Sequence, residues 1–193
     1  MKNILQGVAV LTHPVFLPIW SLLLYFPLVA KYANEKMILA AIWVGFVYLL
    51  LPYLYFKVIR KINLAGPNLA ERRSVFKVYA LVSGGFTIVN VFLIPEYMSF
   101  FVGLLLLNLI LLFLAFVELK ASWHTAAWSY LSCAGLMLLY NFKLANLPVA
   151  IVISLGILVV VFFIRFHQRA HSYFELLMGI AAGVLASIPM LFF

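Results

Sequence analysis

Residues 146–193 read NLPVAIVISLGILVVVFFIRFHQRAHSYFELLMGIAAGVLASIPMLFF, two apolar runs parted by the polar stretch RFHQRAHSYFE at 165–175. Each run matches the roughly 20 residues a helix needs to cross hydrocarbon. Both are too long and too little alternating for strands of a transmembrane β-barrel. The stretch between them concentrates charge in a chain that has little. If the second run opens as a helix, His171 and Glu175 stand four apart on one face. Arg165 precedes His171 by six residues. A histidine held by a carboxylate, beside an arginine and a helix N-terminus, is suited to bind and attack a phosphate.

The whole chain reads the same way. Of 193 residues, 67% are hydrophobic and 9% charged, a composition that cannot coat a soluble domain. The expectation is an all-α, polytopic transmembrane helical bundle forming one integral membrane domain over 1–193. Seven segments qualify as spans: 4–30, 37–58, 74–94, 98–117, 123–141, 146–165 and 172–193. His13-Pro14 and Pro18 should kink the first or split it into an interfacial piece and a span, so six full spans with a bent first segment is the close alternative. That first segment is too long for a secretory signal and has no small-residue cleavage site after it. Cys133 is the one cysteine, which excludes an intrachain disulfide.

Formal net charge is +8 with no aspartate, which favours an anionic partner such as phosphate or lipid headgroups. No nucleic acid is expected, because the cations punctuate apolar runs instead of forming a soluble patch. If all seven segments cross, ten of the 13 Lys and Arg fall on one face, the side of loops 60–74, 118–124 and 165–172. Lys31, Lys36 and Lys143 fall on the other. Three polar clusters therefore converge at one end of the bundle. The second holds Glu118, Lys120, Ser122 and His124, with Ser122 a natural N-cap for the following helix and His124 in its first turn. The third is Glu71-Arg72-Arg73, with Lys77 one turn beyond Arg73.

These clusters carry a resemblance to the type 2 phosphatidic acid phosphatase superfamily of membrane lipid phosphatases. Its third signature, Ser-Arg-x5-His-x3-Asp, is similar to Arg165-x5-His171-x3-Glu175, with Ile164 for Ser and Glu for Asp. Its second, Pro-Ser-Gly-His, is matched in part by Ala121-Ser122-Trp123-His124. Its first, Lys-x6-Arg-Pro, is matched only at Arg73, which Ser74 follows and which has Gly66 where the Lys would stand. The likeness covers 60–185, and Gly179 and Gly183 suit it through close helix packing. It implies a lipid-phosphatase-like core, His171 as the nucleophile, Glu175 orienting it and His124 as general acid. Arg165, Arg73, Arg72, Lys120 and Ser122 would hold the phosphoryl oxygens. It requires no metal or other cofactor. The implied substrate is a lipid phosphate or isoprenoid diphosphate in the bilayer, and the implied home is the bacterial cytoplasmic membrane.

Trp123 in place of Gly and the missing first-signature Lys bear on turnover. They leave a second expectation, a phosphatase-fold membrane subunit or headgroup binder without catalysis. The resemblance implies a site on the outer face, whereas the positive-inside count puts the same loops in the cytoplasm. Five of the ten cations belong to the candidate site, which weakens that count. Other residues read more plainly. His13 reads as a satisfied polar group at the kink, and Trp20, Trp43, Trp123 and Trp128 as interface anchors. Lys120 divides between phosphate ligand and partner of Glu118. A proton-relaying transporter would need mid-span polar groups, for which Asn90 and Asn108 are the candidates.

Overall fold

The structure is a computed structural model that describes residues 2–24, 42–62, 67–93, 98–142 and 147–192. All of the regular structure described is helical. Eight helices are numbered here: α1 (Lys2–Leu11), α2 (Leu17–Leu24), α3 (Ile42–Ile59), α4 (Leu69–Leu93), α5 (Met98–Phe116), α6 (Trp123–Phe142), α7 (Leu147–His167) and α8 (Tyr173–Ser187). A 3-10 turn, Ile188–Leu191, continues α8. Four of the described segments are long and apolar enough to cross a membrane: Ile42–Ile59, Met98–Phe116, Pro148–His167 and Tyr173–Leu191.

Burial is inverted relative to a soluble protein. Val58, Leu81, Ile88, Val149, Val152 and Phe163 lie exposed on the outside, while Ser83, Asn108, Ser122, Thr125, Ser129, Ser132, Ser154 and Ser187 are inside. Lipid tolerates the first arrangement and penalises exposure of the second. The inner hydroxyls donate largely to helix carbonyls, as Ser132 does to Trp128, Ser154 to Ile151 and Ser187 to Val184. This surface and the four apolar helices make the chain an integral membrane protein.

The expected spans 74–94 and 123–141 fall on α4 and α6, which taken whole are less uniformly apolar than the other four. In α4 the first turns carry Glu71, Arg72, Arg73 and Lys77. In α6 the reason is position. Every residue from Ala121 to Ser132 is buried, so the first half of this helix meets protein on all sides and needs no lipid-facing apolar stripe. It packs against α7 and α8, with α2 alongside; α8 also lies on α5, and α5 on α4. The expected first segment breaks where Pro14 cannot supply an N–H. A 3-10 turn, Pro14–Phe16, joins α1 to α2 there.

The seam between α6 and α8 is unusually close. A side chain at Gly179 would collide with Thr125 and the Ser122 carbonyl, and one at Gly183 with the backbone of Ala126 and Tyr130. Gly-x3-Gly on α8 thus lets the backbones touch. Thr125 Oγ1 donates to the Leu176 carbonyl at 3.0 Å and Ser129 Oγ to that of Ile180 at 3.0 Å, riveting the seam one helical turn apart.

Two of the tryptophans expected as interface anchors belong to the core. Trp123 and Trp128 are buried, and Trp128 Nε1 donates to the Thr12 carbonyl at 3.0 Å. Their helix is central, so their rings point into protein. Trp43 is 38% exposed, in keeping with the interface reading. Asn108 donates to Ser83 Oγ and the Leu104 carbonyl at 2.9 Å and to Tyr48 at 3.3 Å, a cluster with no carboxylate, imidazole or amine in it. The side chain of Asn90, like Lys31, Lys36 and Lys143, lies outside the described residues.

Candidate functional site

Three helices begin at one end of the bundle with side-chain caps. Asn68 and Glu71 cap α4 reciprocally: the Asn68 N–H donates to Glu71 Oε2 at 2.7 Å, and the Glu71 N–H to Asn68 Oδ1 at 2.9 Å. Ser172 and Glu175 form the same box on α8. Ser122 precedes α6, its Oγ 3.5 Å from the Thr125 N–H. Three helices arrive at that end, and each closes near a non-glycine residue in the left-handed region: Lys61 after α3, Glu118 after α5 and Arg169 after α7. The following amides turn back onto carbonyls of the last helical turn, as Leu119 does to Leu114 and Ala170 to Arg165. Such tight closures hold the polar loops against the bundle end.

Cross-links join the loops. Arg72 donates through Nη1 to the Ala121 carbonyl at 2.9 Å and through Nε to that of Pro67 at 3.2 Å. The Ser122 N–H donates to the Glu175 carbonyl at 2.9 Å. Between them is a cavity of about 20 Å³ lined by His13, Pro67, Arg72, Val75, Phe76, Trp123, His124, Arg165 and His171. That is room for about one water molecule. His171 also borders an open cleft of about 760 Å³ with Phe166, His167, Arg169 and Ser172. Its ring therefore stands between an outer mouth and an inner chamber.

Electrostatics in the chamber are one-sided. Arg72 is buried, and its two side-chain bonds go to carbonyls. Arg165 reaches Gln168 Oε1 through Nη1 at 3.4 Å, while its buried Nε has no partner among the described residues. No carboxylate lines the chamber. Burying a guanidinium costs several kcal/mol, and Glu175, outside the chamber wall, offsets part of that for Arg72.

Glu175 sits behind His171. Its Oε2 accepts from the Ser172 N–H at 3.0 Å and faces His171 Nδ1 at 3.0 Å. An ionised carboxylate carries no proton, so Nδ1 must carry it, leaving the lone pair on Nε2. Burial first, then Arg72 and Arg165, push the His171 pKa down to about 4, against the opposing pull of Glu175. The ring is therefore neutral at physiological pH, the form in which it can attack. His124 is buried in the first turn of α6, within electrostatic range of Arg165, His13 and His171, and bonded to the backbone of Ala9.

The structure thus brings together His171, Glu175, His124, Arg165 and Arg72. It does not bring Arg73, Lys120 or Ser122 into the chamber. Arg73, the residue matched to the first signature, turns outward: Nε donates to the Ala115 carbonyl at 2.9 Å, Nη2 lies 3.5 Å from Glu118, and the guanidinium covers Phe116. Neighbouring residues on a helix point about 100° apart, so only one of the pair can enter. Lys77 also lies over Phe116. Lys120 borders a separate cleft of about 220 Å³ beside Glu118, Ser172 and Glu175. Ser122 is fully buried in its capping role.

His13 was read from sequence as a kink residue only, and it is that: its Nδ1 accepts from the Val15 N–H at 3.3 Å. Its ring nevertheless lines the chamber. One sequence signal was available, since His13 is one of only four histidines, and it sits at a break that frees it from a helix face. Compared with protein-family models, curated proteins and solved structures, the chain matches none.

Proposed function

We propose that the chain is a membrane-embedded phosphatase or phosphotransferase acting on a lipid phosphate or isoprenoid diphosphate through a phosphohistidine intermediate. The observation that carries this reading is the buried Arg72 and half-buried Arg165 lining one chamber with no carboxylate in its wall, faced by a histidine whose tautomer a carboxylate dictates. The resemblance of 165–175 to the third signature of the type 2 phosphatidic acid phosphatases supports it. The proposed setting is the bacterial cytoplasmic membrane.

In this mechanism the headgroup enters from the open cleft, and Arg72 and Arg165 take the phosphoryl oxygens. His171 Nε2 attacks phosphorus; the N–P bond forms as the P–O bond to the leaving group breaks. The negative charge of the bound phosphoryl group favours a proton on His124, which gives it to the departing oxygen. Glu175 stabilises the positive charge that develops on the His171 ring. Water then attacks phosphorus, the N–P bond breaks, and His124 recovers a proton from that water. Phosphate leaves with the site restored. Arginines and imidazoles suffice for positioning and charge.

A second reading, an anion or headgroup binder without turnover, is favoured by the small inner chamber and by Trp123, whose ring occupies space between His13, Phe76 and Tyr79. Phosphate release by detergent-solubilised protein tests the two. The enzyme reading expects His171→Ala and His124→Ala each to abolish release from a lipid phosphate. Unchanged release in both variants refutes the mechanism. No turnover by the parent, with thermal stabilisation by the same lipid phosphate, selects the binder.

A further inference from the structure

Outside the chamber, the cleft of about 760 Å³ opens between the end of α7 and the start of α8, a volume in the range of small-molecule sites. Its wall is Phe166, His167, Arg169, His171 and Ser172, with no carboxylate among them. His167 and Arg169 are exposed, and neither side chain has a hydrogen-bond or ionic partner among the described residues. The root of Arg169 is fixed. Its φ is 52°, its N–H donates to the Phe166 carbonyl at 3.0 Å, and the next N–H, of Ala170, donates to the Arg165 carbonyl at 3.2 Å. The guanidinium thus leaves a firm turn at the edge of the cleft.

A hydrocarbon face leads to the same place. On α7, Val152, Leu155, Val159, Phe163 and Phe166 recur every three or four residues, and all are exposed. They form one stripe, about 21 Å long at 1.5 Å per residue, against about 15 Å for half of the hydrocarbon layer. A lipid chain can follow it to the cleft. The stripe does not select among lipids, because one hydrocarbon chain replaces another at little gain. The cations at its end do. We propose that this cleft binds the phosphate headgroup of an anionic membrane lipid, held by Arg169 and His167, with an acyl chain laid along the exposed face of α7. A zwitterionic lipid offers the same phosphate but cancels its charge with an ammonium, so it is held less tightly. The site goes beyond the phosphatase reading, since capture of the lipid requires no reaction at His171.

The test uses the full chain in detergent micelles. Retained dioleoyl phosphatidylglycerol or dioleoyl phosphatidylcholine is counted by native mass spectrometry, and orthovanadate binding is read by calorimetry. The phosphate of phosphatidylglycerol is a diester, not the monoester or anhydride that the proposed reaction cleaves, so capture is read without turnover. The parent is expected to hold phosphatidylglycerol about fivefold or more tightly than phosphatidylcholine. Arg169→Gly removes the guanidinium where φ suits glycine, so a loss of lipid cannot be put down to a broken turn. It should lower phosphatidylglycerol affinity about fivefold or more, while Arg60→Ala, which removes an exposed cation at the same end, stays within about twofold. Unchanged affinity in Arg169→Gly overturns the proposal. Equal losses in the two variants also overturn it, since general surface attraction acts on both alike, and so does a parent that holds both lipids equally. Selective retention by a parent that binds no orthovanadate supports this inference and removes the phosphatase reading. Orthovanadate binding that Arg72→Ala abolishes, with no preference between the lipids, does the reverse.

Discussion

Substituting Gly179 by Ala isolates the closest approach in the structure. The new Cβ would strike Thr125 Oγ1 and stand 2.5 Å from the Ser122 carbonyl oxygen and 3.3 Å from the Ala126 nitrogen. Ordinary contact is about 3.5 Å, so α8 must retreat by about 1 Å. Two bonds across the seam, Thr125 to Leu176 at 3.0 Å and the Ser122 N–H to Glu175 at 2.9 Å, would then be lost. Overpacking costs about 1–3 kcal/mol, and the two bonds add about 1 kcal/mol each. The better helix propensity of Ala returns about 0.5–1 kcal/mol. The net loss is about 2–4 kcal/mol, or about 4–16 °C in thermal midpoint for a chain of this size. Gly156→Ala on α7 is the control, since nothing lies within 4 Å of its added carbon. Thermal unfolding in one detergent compares them. Because α6 carries His124 and α8 carries Glu175, the shift should also weaken vanadate binding. Equal midpoints for the two variants would refute the close seam and the alignment of the two histidines built on it.

Two further outcomes follow from the same geometry. Arg72→Ala should reduce vanadate or phosphate affinity by tenfold or more, while Arg73→Ala should leave it within about twofold, because only Arg72 lines the chamber; isothermal titration decides, and the reverse order would reassign the site. The His171 pKa of about 4 lies below the ordinary value of 6.5, so protons favour the unfolded chain between those limits. Stability should fall as pH drops from about 6.5 to about 4 and level off below. His171→Gln should flatten that slope in thermal melts recorded across this range; an identical slope would mean that the ring is not held neutral by burial beside Arg72 and Arg165.

Membrane character, helical class and the ends of the helices at the site were legible from sequence. Composition and run length decide the solvent, since hydrocarbon accepts only internally bonded backbone. Ser122 announces a helix start because capping is local: it acts on an amide three residues away. For the same reason His171 and Glu175 could be paired on paper, since His171 stands just before the N-cap of α8 and Glu175 in its first turn. Gly179 and Gly183 marked a packing face by their spacing.

What no local rule reaches was decided by packing between helices. Adjacent arginines at the start of α4 are equivalent in sequence, and only the position of α5 turns Arg73 onto Phe116 while Arg72 reaches Ala121. Trp123 and Trp128 look like interface residues until the first half of α6 is seen to be enclosed by protein. His13 enters the chamber because a break some 110 residues earlier in the chain is bonded to α6, a juxtaposition that depends on the whole bundle. Chain pattern set which groups exist and which helix turns they occupy. Their convergence on one positively charged chamber is a property of the fold, because burial arises only when separate helices exclude water together.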